Sequence, residues 1–117
     1  MESSTTRADH GERTVVHLEG EIDVYTAPRV RDKLDEQIRE GRTDLVVDLT
    51  DVTFIDSTGL GVLVGRLKHI RLLGGSLRLV GSDDRVLKVF SITGLDKVFE
   101  IYPTLEDALG APGAASS

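Results

Sequence analysis

Three consecutive side chains in the stretch FIDSTGLGVLVG, residues 54–65, concentrate the reactive groups of the chain: Asp56, Ser57 and Thr58. An acid followed by two hydroxyls admits three uses. Serine is among the best helix N-caps, because its oxygen accepts a free N–H of the first turn. A serine next to a base can be a nucleophile. A serine within reach of a kinase can accept a phosphoryl group, which adds about −1.5 to −2 charges.

The nucleophile reading finds little support. The nucleophile elbow is G-x-S-x-G, whereas this chain has IDSTG. DSTG also has one residue too many for the D-[ST]-G of aspartic proteases. The histidines are His10, His17 and His69. His10 falls in the polar N-terminal stretch, His17 reads as a sheet-face residue in mid-strand, and His69 lies about three helical turns beyond Ser57. GLGVLVGR lacks the lysine of a phosphate-binding P-loop. No enzyme activity, cofactor or metal site is expected.

Capping and modification both remain open. Capping explains one hydroxyl but not Gly59, Gly61 and Gly65, each of which costs about 1 kcal/mol relative to alanine inside a helix. Three such residues imply that something approaches the first turns closely, either another element or another protein. A phosphate would be tolerated there, since a helix N-terminus offers free N–H donors and the positive end of the dipole. At an interface it would meet Asp56 and Asp23, and like-charge contact across an interface costs several kcal/mol. One phosphate could therefore release a partner without unfolding its own domain.

The elements that position this junction follow from periodicity. TVVHLEGEID, residues 14–23, reads as a strand, with residues 5–10 as a short partner and HGE as the turn between them. Residues 1–6 read as a mobile end. In TAPRVRDKLDEQIREG, Thr26 can cap, Pro28 sits in the first turn, and Ala27, Val30, Leu34 and Ile38 share one stripe. This predicts a helix over 27–40, ended by Gly41. DLVVDLTDVTFI, residues 44–55, opens with the near-continuous apolar run of a strand covered on both faces. Leu60, Leu63, Val64, Leu67 and Ile70 then recur at helical spacing up to the glycines at 74–75. SLRLVG (76–81) is a strand. A helix follows from Ser82, Asp83 and Asp84 to a Gly94 cap. KVFEIY (97–102) is a last strand, and Thr104 with Asp107 makes a capping-box-like start to a short helix. Alternation of strands and helices implies crossovers and a mainly parallel sheet, with one antiparallel hairpin at the start. The fold class is α/β, with a mixed sheet of four or five strands flanked by four to five helices.

Composition narrows the setting. The chain has 117 residues, one domain's worth, with 20 acids against 14 bases and a formal charge of −6. This balance opposes direct nucleic-acid binding, which depends on neutralising phosphates, and leaves basic protein surfaces open as partners. With no cysteine, disulfides and thiolate metal sites are excluded. MESSTTRADHGER has no apolar leader core, and no apolar stretch is long enough to span a bilayer, so a cytoplasmic protein without membrane contact is expected. Residues 1–109 are assigned to the domain, and 110–117, GAPGAASS, to a frayed tail.

GEIDVYTAP (20–28), VVDLTDVTFIDSTGLGVLVG (46–65), GSLRLVG (75–81) and ITGLDKVFEIYPTLEDAL (92–109) resemble the anti-sigma factor antagonists of the bacterial STAS domain family. The resemblance spans about residues 10–109. It implies the STAS fold and a phosphoprotein that switches partners. In the unphosphorylated form, such a protein binds an anti-sigma factor with serine kinase activity and frees the sigma factor. Phosphorylation by that kinase ends the interaction, and a PP2C-type serine phosphatase resets it. The resemblance assigns phosphorylation to Ser57, kinase recognition to Asp23, and partner contact to Asp56, Thr58, Gly59 and Gly61 beside them. The alternative within the family is a STAS module used for nucleotide sensing or scaffolding in a larger regulatory assembly.

Overall fold

In the computed structural model, residues 3–7 and 13–111 are described. Five strands form one mixed sheet in sequence order: β1 (Ser3–Arg7), β2 (Thr14–Ile22), β3 (Asp44–Ile55), β4 (Ser76–Val80) and β5 (Glu100–Tyr102). β1 runs antiparallel to β2, and β2 to β5 are mutually parallel. Between the parallel strands lie α1 (Ala27–Arg39), α2 (Ser57–Leu72) and α3 (Asp84–Ile92), and α4 (Leu105–Gly110) closes the chain. Crossovers that step in one direction along a sheet, all of the usual right hand, put their helices on one face.

The strands alternate accordingly. Val16, Leu18, Leu45, Val47, Leu77 and Leu79 enter one core with Val30 and Leu34 of α1, Leu60, Leu63, Leu67 and Ile70 of α2, and Val86 and Phe90 of α3. On the opposite face Val15, Val46 and Val80 pack with Ala108 of α4 in a smaller cluster. The run from Leu45 to Leu49 is buried throughout, as expected for a strand sandwiched between helices. Arg13 fixes α4 in place: its buried guanidinium donates to the carbonyls of Ala108, Leu109 and Ala111 and reaches Asp44.

Three local expectations change. The first strand is Ser3–Arg7 rather than 5–10, so Ser3–Thr6 are paired with β2 and are not a loose end; the HGE turn lies outside the described residues. The last strand begins at Glu100, because the chain turns at Gly94 (φ +75°) into a 3₁₀ turn over Leu95–Lys97. Phe99 then plugs the core, its ring meeting Phe90 edge-on at 5.9 Å, and this anchoring replaces strand pairing before Glu100. Finally, α4 continues through Gly110, and residues 112–117 of the expected tail lie outside the described residues. The start of α4 is as read: Thr104 Oγ1 accepts the Asp107 N–H at 3.1 Å.

Candidate functional site

The three candidate side chains stand at the carboxyl end of β3, where β2, β3, α1 and α2 meet. Sites in open α/β sheets gather at the carboxyl ends of the strands. The junction is stitched by the backbone: Asp56 N–H donates to the Ile22 carbonyl at 3.1 Å, tying the start of α2 to the end of β2. Asp23, the residue after Ile22, is thereby held at the corner that Asp56 and Ser57 occupy.

The capping reading of Ser57 is corrected. Asp56 is the N-cap, with extended backbone and a carboxylate that accepts the Gly59 N–H at 3.0 Å. Ser57 is the first helical residue. It is exposed, and its Oγ has no hydrogen-bond partner among the described residues; the same holds for Thr58. An aspartate that takes the cap leaves the serine free of structural duty. With the Gly59 N–H taken by Asp56, the N–H groups of Ser57 and Thr58 have no intrahelical acceptor and are left for solvent or a ligand. His69 lies twelve residues along the same helix, about 18 Å away, too far to serve this hydroxyl as a base.

Asp23 organises the turn into α1. Its carboxylate accepts the N–H of Tyr25 at 2.9 Å and of Thr26 at 3.1 Å, and its carbonyl accepts the Ala27 N–H at 2.8 Å. Thr26, expected to cap α1, makes no side-chain cap bond. Its hydroxyl donates instead to the Glu21 carbonyl and accepts the Asp23 N–H, which locks the loop.

The glycines divide by role. A methyl on Gly59 would lie 2.7 Å from Ile22 Cγ2 and 2.9 Å from Ile55 Cγ1, so Gly59 lets α2 pack tightly on the strand ends. Gly61 and Gly65 have nothing within 4 Å of such a methyl, and Gly61 is exposed. The space outside Gly61 is therefore open to another molecule. Around this corner the loop and strand end present Val24 (55% exposed), Tyr25 (84%) and Phe54 (48%) to solvent. The sequence reading missed these three. Two large apolar residues in the turn after Asp23 are a legible signal, but the orientation of Phe54 is not. An extra residue enters β3 between the pairs Gly20–Val52 and Glu21–Phe54 and breaks the alternation. Acids, an unbonded serine and apolar side chains thus lie exposed on the segments that meet at this corner, a composition suited to protein contact.

Known proteins carry the same arrangement of chain. Residues 4–108 match the STAS domain. The anti-sigma-B factor antagonist of Bacillus subtilis is 46% identical over 86 residues, covering 74% of this chain and 78% of its own. A crystal structure of an anti-sigma factor antagonist from Mycobacterium paratuberculosis aligns with a TM-score of 0.79 at 33% identity, over 92% of each chain. The phosphorylated form of the Bacillus cell fate determinant SpoIIAA aligns with a TM-score of 0.70 at 26% identity, over 92% of this chain and 96% of its own. With the match spanning nearly every described element, the chain belongs to the STAS domain family, in its group of anti-sigma factor antagonists.

Proposed function

We propose that this protein antagonises an anti-sigma factor and that phosphorylation of Ser57 switches it off. The observation that carries the reading is the exposed Ser57 hydroxyl, without a hydrogen-bond partner among the described residues because Asp56 has taken the cap. A kinase can engage such a group without breaking the fold. In the unphosphorylated form, the surface of Asp23, Val24, Tyr25, Phe54, Asp56, Thr58 and Gly61 docks an anti-sigma factor with serine kinase activity, and the sigma factor is released. Gly59 supports this surface from beneath by seating α2 on Ile22 and Ile55.

Phosphorylation places about −1.5 to −2 charges beside Asp56 and Asp23. Within the domain, the N-terminus of α2 offsets part of that charge. Across a desolvated interface the same charge is repelled, at a cost of several kcal/mol, and about 4 kcal/mol is a thousandfold in affinity. A PP2C-type serine phosphatase restores the binding form. A relative solved in a phosphorylated form supports the reading, as do relatives named anti-sigma-B factor antagonists.

The test is binding of purified variants to the cognate anti-sigma kinase by calorimetry. Ser57→Ala binds and accepts no phosphate; Ser57→Asp keeps its circular dichroism and melting midpoint but loses binding by at least about tenfold. Continued labelling of Ser57→Ala with ATP overturns the assignment.

A further inference from the structure

We propose that His17, Glu19 and Asp51 bind a divalent transition-metal ion of the zinc class on the sheet face that carries α4. Three features place these groups together. His17 pairs with Asp48 across β2 and β3, while Glu19 pairs with Asp51, so β3 holds one extra residue between the two pairs. Such bulges re-aim side chains. Here the bulge brings both Asp48 and Asp51 onto the same imidazole: Nδ1 lies 3.1 Å from Asp48 Oδ2 and Nε2 3.0 Å from Asp51 Oδ2. One ligand atom from each of His17, Glu19 and Asp51 lies within 4.8 Å of the others.

Asp48 supplies the outer support that a metal-binding histidine uses. It is buried, and its second oxygen is committed to the N–H and hydroxyl of Thr50. Its first oxygen is therefore fixed toward Nδ1. When Nδ1–H is donated to Asp48, Nε2 presents its lone pair to the space shared with Glu19 and Asp51. Carboxylate–histidine–metal chains have this order, and the outer carboxylate orients the ring. Glu19 and Asp51 face each other across the strands, and like charges directly opposite destabilise a sheet; a divalent ion reverses the sign of that contact.

The donor set selects the metal class. One imidazole and two carboxylates suit zinc, cobalt or manganese, whereas magnesium and calcium prefer oxygen alone. Metal–ligand bonds of about 2.0–2.2 Å put neighbouring donor atoms about 3–3.5 Å apart. The His17–Asp51 separation of 3.0 Å already meets this, and Glu19, on a flexible side chain, closes the rest. Asp51 is exposed and His17 half-buried, which leaves solvent to complete the coordination.

The competing account is an imidazolium held between two acids with no metal. Calorimetric titration of the tag-free full chain with zinc chloride at pH 7.5 separates the two. One bound ion per chain is expected, and none with magnesium chloride. His17→Ala and Asp51→Asn should each weaken zinc binding by roughly tenfold or more, and Asp48→Asn by about 10–100-fold through loss of ring orientation. His69→Ala and His10→Ala should leave it unchanged. Because Asp51 is exposed, Asp51→Asn should fold, and its urea midpoint should lose the zinc-dependent rise that the parent shows. No uptake at millimolar free zinc overturns the proposal, as does uptake insensitive to His17→Ala or Asp51→Asn, or uptake removed by His69→Ala or His10→Ala.

Discussion

Replacing Gly59 by alanine adds one methyl at the point where α2 meets the sheet. That methyl would lie 2.7 Å from Ile22 Cγ2, 2.9 Å from Ile55 Cγ1 and 3.2 Å from the Ile22 carbonyl oxygen. Carbon atoms pack best at about 3.5–4.0 Å, so the intrusion is close to 1 Å on two side chains. Both are isoleucines, stiff at χ1, and the third contact is backbone, so the first turn of α2 must move outward. Overpacking of this kind costs about 1–3 kcal/mol, against a gain of about 1 kcal/mol from replacing glycine in a helix. The backbone contact puts the cost in the upper part of its range, giving a net loss of about 1–2 kcal/mol. At about 4 °C per kcal/mol for a domain of this size, the melting midpoint should fall by roughly 4–8 °C. Gly61→Ala is the internal control. Its methyl meets nothing within 4 Å, so it should gain up to about 1 kcal/mol, yet weaken binding of the anti-sigma partner by occupying the open surface. Urea and thermal denaturation of the two variants measure the contrast. A midpoint for Gly59→Ala equal to or above the parent's would refute the claim that α2 starts in van der Waals contact with the end of β2.

Further outcomes follow from the same geometry. Asp56→Ala removes the cap of α2 and should cost about 1 kcal/mol in urea denaturation, whereas Ser57→Ala should be neutral, because its hydroxyl has no hydrogen-bond partner among the described residues. Arg13→Met should cost about 2–3 kcal/mol through loss of charged hydrogen bonds to the carbonyls at the end of α4. Amide exchange should then speed up in Leu105–Gly110 before the rest of the domain, and uniform exchange would contradict the docking role. Burial pulls the His17 imidazole down, but its hydrogen bond to Asp48 and the charges of Asp48, Asp51 and Glu19 outweigh this and hold its pKa above the usual 6.5. A raised folded-state value means stability that is fully present below about pH 6.5 and is lost as pH climbs through the folded value. With a chelator present, the urea midpoint of the parent should therefore decline above neutrality, and His17→Gln should flatten that slope.

The order of elements was legible because each carries its own period. Val30, Leu34 and Ile38 mark α1, Leu60 to Ile70 mark α2, and the buried run from Leu45 marks a strand with helices on both sides. Boundaries failed where tertiary contact decides. Phe99 reads as a strand residue, yet it is drawn into the core beside Phe90. Ser57 looks like the natural cap by residue preference, but a carboxylate one position earlier, with its backbone already fixed by Ile22, takes the Gly59 N–H first. The three glycines announced a close approach without saying to what; only the folded chain separates Gly59, pressed on Ile22, from Gly61, facing open space. The grouping of His17, Asp48 and Asp51 was invisible, because it depends on a bulge that places residues 31 and 34 positions apart in sequence around one ring.

The central claim concerns one hydroxyl, and peptide mass spectrometry after incubation with the cognate anti-sigma kinase and ATP reads it directly. The account predicts a single phosphoryl group on the peptide that contains Ser57, removed by a PP2C-type phosphatase and absent from Ser57→Ala. Phosphate on Thr58 or another residue, or equal labelling of Ser57→Ala, would contradict it.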